Sequence, residues 1–106
     1  SVEGAIDENE LTAMVLVPGR SDLAAKVLEG FHLLGKRAVN IDDALVPDSA
    51  VAGVVRALQL AGVIAVSARV LDRGVLTAIE GFAGDDLVDG AGLDDAEVLR
   101  LAGVSE

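Results

Sequence analysis

A long aliphatic stretch of low net charge in the middle of the chain most constrains the fold. Residues 49–82 read SAVAGVVRALQLAGVIAVSARVLDRGVLTAIEGF, without a charged residue between Ala57 and Ala68. Apolar side chains of this density are removed from water on folding, so the stretch must supply the core. The uncharged run has twelve residues, whereas a helix needs about 20 apolar residues to cross a bilayer. We therefore interpret the stretch as protein core and expect no membrane contact.

The side chains available to this core are small. The chain has 106 residues, of which 52% are hydrophobic but only 2% are aromatic, and its length fits one domain. Small aliphatic side chains each bury little apolar surface, and burial against another copy would add to the stability of the fold. The composition therefore predicts a homo-oligomer, or a chain that packs against other protein subunits.

Charge is distributed unevenly along the chain. The net charge is −10, and residues 50–82 are the only third that is not acidic, with two acidic and three basic side chains. A negative surface without a basic patch repels phosphate backbones, so we expect no nucleic-acid binding. Cysteine is absent, which excludes disulfides and thiol catalysis. Since the first ten residues are acidic where a secretory signal would be basic, we expect a cytoplasmic location or a place in an assembled particle.

The first half of the chain predicts two strands and two helices. Residues 11–17 form an apolar run that ends at a Pro-Gly pair, and residues 38–41 form a second run that two aspartates end; both indicate short strands. Between them, residues 21–34 have helical periodicity, with Ser21 as a candidate N-cap. A second helix is predicted over residues 49–61, capped by Asp48 or Ser49 and stopped by Gly62.

The second half is ambiguous between strands and helix. Residues 63–71 contain several β-branched side chains, and an Asp-Arg-Gly turn signal separates them from residues 75–82, which predicts a β-hairpin with Gly74 in a left-handed turn. The competing interpretation is one helix over residues 49–71. Residues 83–92 are interpreted as a loop. Asp94, Glu97 and the neighbouring apolar residues predict a final capped helix that Gly103 ends.

These elements predict a single mixed α/β domain in the order β-α-β-α-β-β-α, with the helices mostly on one face of a small sheet. We assign residues 11–106 to this domain and residues 1–10 to a mobile acidic arm.

The turn after the first predicted strand is a candidate phosphate site. Gly19, Arg20 and Ser21 precede a predicted helix, and amide groups at a helix start attract anions. Asp42, after the next strand, could hold a ribose hydroxyl. Neither of the two glycine-rich nucleotide motifs is present, and Asp22 lies where the phosphate charge would be. An ordinary helix start is the simpler interpretation, and we expect no cofactor.

Acidic residues near the end of the chain are weak candidates for a cation site. Asp85, Asp86 and Asp89 begin a pattern like a calcium-binding loop, but position 3 would be a leucine and Glu97 comes one place too late. A solvated acidic loop explains these residues as well.

Few residues could support catalysis. His32 is the only histidine, and it falls at the edge of the apolar stripe of its helix, without an identifiable partner. The Asp42-Asp43 pair could act as acid and base only within a cleft. This inventory argues against an enzyme.

The sequence-based prediction of function is a non-catalytic, self-associating structural or adaptor subunit. The run RALQLAGVIA at residues 56–65 resembles a helix ending in small phage virion accessory proteins, over about a tenth of the chain, which implies a viral particle as the assembly. The alternative is a small nucleotide- or phosphate-binding domain that uses residues 19–22. A third possibility is an acidic regulatory partner of a basic protein. The candidate interface consists of Val51, Val55, Leu58, Val63, Ile64, Val66, Ile79 and Phe82.

Overall fold

A four-stranded parallel sheet forms the centre of the molecule. The structure is a computed structural model and describes residues 12–104. Its strands are β1 (Met14–Leu16), β2 (Ala38–Asn40), β3 (Ile64–Ser67) and β4 (Leu87–Asp89), in the spatial order β2-β3-β1-β4. Met14 lies opposite Ala65 of β3 and Leu87 of β4, and Val39 of β2 also lies opposite Ala65. Since all pairs are parallel, every connection between consecutive strands is a crossover.

Helices cover both faces of this sheet. They are α1 (Ser21–Leu33), α2 (Asp48–Leu60), α3 (Arg73–Ala83) and α4 (Asp95–Ala102). Buried residues of α1 and α4 pack in one cluster with Val15 and Val17, whereas those of α2 and α3 pack in a second cluster with Met14 and Leu16. Successive side chains of a strand point to opposite faces, so the apolar run around β1 supplies both cores.

Several sequence-based predictions are confirmed. The chain is a single mixed α/β domain, with helices close to the predicted residues 21–34 and 49–61. Helix α2 ends before Gly62, which has a φ of 75°. Asp94 caps α4 by accepting a hydrogen bond from the Glu97 amide at 2.8 Å, and Gly103 ends it with a φ of 78°. The acidic arm assigned to residues 1–10 lies outside the described residues.

The predicted β-hairpin is wrong. Residues 64–67 form β3, but residues 73–83 form helix α3. The Asp-Arg-Gly turn signal is the start of this helix, because the Asp72 side chain accepts a hydrogen bond from the Val75 amide at 2.9 Å. Ile79 and Ala83, four residues apart, are then buried on one helical face. The competing single helix over residues 49–71 is also wrong, because β3 begins within it.

Three further details differ from the predictions. Strand β4 lies inside residues 83–92, where the sequence predicts a loop. Helices cover both faces of the sheet, since parallel strands need a crossover at every connection. The predicted side-chain caps of the first two helices are absent: the residues before them are Arg20 and Pro47, and neither helix has a capping side-chain bond.

Candidate functional site

The strands end at one edge of the sheet, which we call the carboxyl edge, and ligands of open α/β sheets usually bind there. The favoured place for a ligand lies between two neighbouring strands whose crossover helices pack on opposite faces of the sheet, and here these strands are β1 and β3. In this protein, main-chain hydrogen bonds link the two strands up to that point. The Val17 amide donates a hydrogen bond to the main-chain carbonyl of Ser67 at 2.9 Å, and the Gly19 amide donates to the carbonyl of Ala68 at 2.8 Å. The Gly19 amide is therefore already used within the fold.

Asp42 joins the end of β2 to the end of β3. Its carboxylate accepts hydrogen bonds from the Ser67 hydroxyl at 2.6 Å, the Ala68 amide at 2.7 Å and Arg69 Nε at 3.2 Å. Ser67 is fully buried, so this carboxylate satisfies a polar group that water cannot reach. Three donors within the chain account for the position of Asp42 without a ribose.

Arg69 holds the loop between β2 and α2 in place. Its side chain is 17% exposed and forms ion pairs of 3.2 Å with both Asp42 and Asp48. It also donates to the carbonyls of Val46 at 2.6 Å and of Ile41 and Ala44 at 3.4 Å. The planar guanidinium has five N–H donors, which suits it to hold a loop by several carbonyl groups at once.

Arg20 makes a similar connection on the other side of β1. Its guanidinium donates to the carbonyls of Leu93 at 2.6 Å and of Gly90, and it lies 3.4 Å from Asp95. These contacts fix the turn between β4 and α4. The cation proposed for the phosphate is therefore bound to the protein itself, and it points toward β4 while Asp42 points toward β3.

What remains of the candidate phosphate site is a shallow hollow at the start of α1. It has a volume of about 410 Å³ and is lined by Gly19, Arg20, Ser21, Asp22, Leu23 and Asp95. Two carboxylates border it, and negative charge at this place opposes an anionic ligand. The structure brings Gly19, Arg20 and Ser21 together here but places Asp42 beyond β3.

The candidate cation ligands are not brought together. Asp85 and Asp86 form the short 3-10 turn before β4, whereas Asp89 is the last residue of that strand. At roughly 3.3 Å per residue, the strand holds Asp86 and Asp89 about 10 Å apart. Within residues 12–104, no group of three or more acidic, histidine or cysteine side chains could hold a metal ion.

Most of the predicted interface is core. The side chains of Val51, Val55, Ile64, Val66 and Ile79 are at most 5% exposed. The fold of the single chain covers them, so a partner cannot reach them. Leu58, Val63 and Phe82 are half-buried, and the guanidinium of Arg56 lies 5.4 Å from the centre of the Phe82 ring.

The apolar surface lies elsewhere. Seven large hydrophobic residues among those described are exposed: Leu33, Leu34, Val39, Leu45, Leu60, Val70 and Leu101. Leu33 and Leu34, at the end of α1, border a groove between α1 and α4 of about 500 Å³, which we call the leucine groove. Its apolar lining is completed by Leu99 and Val104, and Lys26 and Glu29 also border it.

Sequence reasoning missed both the leucine groove and the role of Arg69. Leu34 lies within the helix predicted over residues 21–34, but the observed helix ends before it and leaves it 55% exposed. The available signal for Arg69 was an arginine two residues after the end of a buried strand. His32, predicted at the edge of the buried face, is exposed, and its Nε2 lies 2.8 Å from the Ala38 carbonyl oxygen.

A polar pair on α4 shifts the pKa of its members. Arg100 donates hydrogen bonds to the Glu97 carboxylate at 2.5 and 3.2 Å, which lowers the pKa of Glu97 and raises the pKa of Arg100. Both groups are solvated, so the pair stabilises the end of one helix and does not suggest catalysis.

Among the described residues, no helix has both the length and the apolar character needed to cross a membrane. Comparison of the chain with protein-family models, with curated proteins and with solved structures gave no match in any of the three.

Proposed function

We propose that this protein is a non-catalytic, self-associating structural or adaptor subunit of a larger assembly, and that a second copy packs into the leucine groove. The observation that carries this proposal is the exposure of Leu33 at 81% and of Leu34 at 55% beside an apolar groove. Full burial of a leucine contributes about 1.5–3 kcal/mol. Two such residues and the groove would supply the apolar centre of an interface.

The charges beside the groove suit a copy of the same surface. Lys26 and Glu29 lie one helical turn apart on α1, and both are exposed. In a two-fold dimer, each residue meets the same patch on the partner, so Lys26 of one copy can lie opposite Glu29 of the other. A patch with one sign of charge would repel itself, whereas this one does not.

Salt dependence offers a direct test. The net charge of −10 makes two copies repel each other over distances that salt screens. We expect a larger oligomer fraction at 0.5 M than at 0.02 M salt in native mass spectrometry and light scattering. The Leu33→Lys/Leu34→Lys variant should be monomeric. The Leu45→Lys variant, which changes an exposed leucine on the loop between β2 and α2, should associate like the unchanged protein. A strict monomer at both salt concentrations would overturn the proposal.

A viral particle is the assembly that the sequence favours. Its support is the likeness of residues 56–65 to a helix ending of small phage virion accessory proteins. Helix α2 does end within this run, at Leu60, and the chain continues through Gly62 into the apolar strand β3. Within this proposal, the partners are copies of the chain or other protein subunits, and the chain binds neither nucleic acid nor membranes.

A phosphate-binding function is the second candidate. Its support is the position of residues 19–22 at the carboxyl edge, where a shallow hollow adjoins the start of α1. Calorimetry with inorganic phosphate and with nucleotides plus Mg²⁺ distinguishes it from the first candidate. No heat of binding at millimolar ligand would remove this alternative.

A further inference from the structure

Two large apolar side chains at the carboxyl edge are exposed to solvent in the part of the chain that the structure describes. Leu45 is 101% exposed and Val70 is 76% exposed. They lie on different loops, the first between β2 and α2 and the second between β3 and α3. The loops meet at Arg69, which precedes Val70 and donates to the carbonyls on both sides of Leu45. The two apolar side chains are therefore presented on loops that are held in place.

A hollow next to these loops has an apolar floor and an acidic border. It lies between the starts of α2 and α3, has a volume of about 510 Å³, and contains Ala52, Val75 and Ala78. The carboxylates of Asp48 and Asp72 border it. We call it the acid-rimmed hollow. A long side chain with an aliphatic stem and a cationic head fits this combination, since the stem can pack on the floor while the head meets the carboxylates.

The charges around the acid-rimmed hollow also favour a basic ligand. Asp43 is exposed beside the loop of Leu45, and the side chain of Asp48 is 57% exposed. The nearby cations already have acidic partners: Arg69 lies 3.2 Å from both Asp42 and Asp48, and Arg73 lies 3.9 Å from Glu80. Because the four aspartates at this edge (Asp42, Asp43, Asp48 and Asp72) outnumber Arg69, the net charge here is negative, which attracts a cationic segment and repels acidic peptides and anionic lipid surfaces.

We propose that Leu45, Val70 and the acid-rimmed hollow form a docking surface for a basic amphipathic segment of a partner protein. Apolar residues of the segment contact Leu45 and Val70, and a Lys or Arg side chain enters the hollow between α2 and α3. The arrangement follows the usual division of an interface into an apolar centre and a polar rim. This surface is distinct from the leucine groove, so the proposal does not depend on self-association.

The test uses the full chain and three synthetic 14-residue peptides at 0.15 M salt. The first has Leu and Lys at helical spacing, the second has Leu and Glu at the same spacing, and the third has Ser in place of every Leu of the first. We expect the Leu/Lys peptide to bind at micromolar concentration in calorimetry and the other two to bind at least about tenfold more weakly. Amide chemical shifts should change around Leu45, Val70 and Asp72.

Two variants locate the binding. Leu45→Ser/Val70→Ser should weaken binding of the Leu/Lys peptide about tenfold or more, since it removes both apolar contacts. Leu60→Ser is the matched control, because Leu60 is 74% exposed but lies at the end of α2, far from the acid-rimmed hollow at the start of that helix. This variant should bind the Leu/Lys peptide as tightly as the unchanged protein. Neither variant alters a buried residue, so both should fold. Equal binding of all three peptides, unchanged affinity in the double variant, or no binding at millimolar peptide would each overturn the proposal.

Discussion

Removal of the Asp42 carboxylate tests whether the carboxyl edge is a structural connection. The Asp42→Ala change takes away the acceptor of three hydrogen bonds, from Ser67, Ala68 and Arg69. The largest effect should come from the Ser67 hydroxyl, which is 0% exposed. A buried donor without an acceptor costs roughly 1–3 kcal/mol.

The other two bonds add less. The side chain of Asp42 is 28% exposed and that of Arg69 is 17% exposed, so their ion pair is partly screened by water and contributes about 1 kcal/mol at most. Arg69 also keeps Asp48 and its carbonyl partners. The sum for Asp42→Ala is a loss of roughly 1–4 kcal/mol in the free energy of unfolding, a substantial part of the 5–15 kcal/mol typical of a domain.

Urea unfolding followed by circular dichroism measures this loss. Asp43→Ala is the matched control, since Asp43 is the neighbouring aspartate and is exposed; it should change the free energy of unfolding by less than about 0.5 kcal/mol. Asp42→Asn should fall between the two, because the amide oxygen can still accept one bond. If Asp42→Ala were as stable as Asp43→Ala, the account of this connection would be refuted.

Two further predictions concern a glycine in each of helices α1 and α3 and the charged pair on helix α4. Gly30→Ala should destabilise the protein by roughly 1–2 kcal/mol, because the added Cβ would lie 2.8 Å from the Cβ of Val104. Gly81→Ala has open space around it and should instead stabilise the protein by up to about 1 kcal/mol, and urea unfolding of both variants checks the difference. NMR titration should place the pKa of Glu97 below its ordinary range, and Arg100→Gln should raise it. Because the folded pKa is the lower one, the pair stabilises the protein above the unfolded pKa, and this stability is lost as pH falls through the folded pKa; an unshifted pKa would contradict the geometry.

The parts of the fold that could be predicted from sequence are those with local signals. Helix α1 has an apolar stripe, and α4 has an aspartate cap at Asp94 and a left-handed glycine at Gly103. Both sets of signals act within a few residues, so neighbouring elements do not change them.

The errors arose where two patterns share residues. Asp72 and Gly74 fit a hairpin turn, but the same aspartate also caps a helix, and the spacing of Ile79 and Ala83 favours the helix. Strand β4 has three residues beside several acidic ones, and it becomes a strand because β1 pairs with it. Tertiary pairing of this kind leaves no periodic signal in so short a segment.

The candidate site illustrates the same limit. The positions of Arg20 and Asp42 after predicted strands made them candidate ligand-binding residues, and both lie at the carboxyl edge. Their partners, such as Leu93 and Ser67, are distant in sequence, so local reasoning could not show that these groups are already bonded within the chain.

The central position of β1 bears on the order in which the chain can fold. Residues 13–17 are all buried, yet β1 has β3 and β4 as its two neighbours, and both lie in the second half of the chain. Parallel strands cannot form a local hairpin, so no early pairing is available to it. During synthesis, this aliphatic strand must stay unpaired until β3 has emerged, and the sheet then assembles from contacts between residues far apart in sequence.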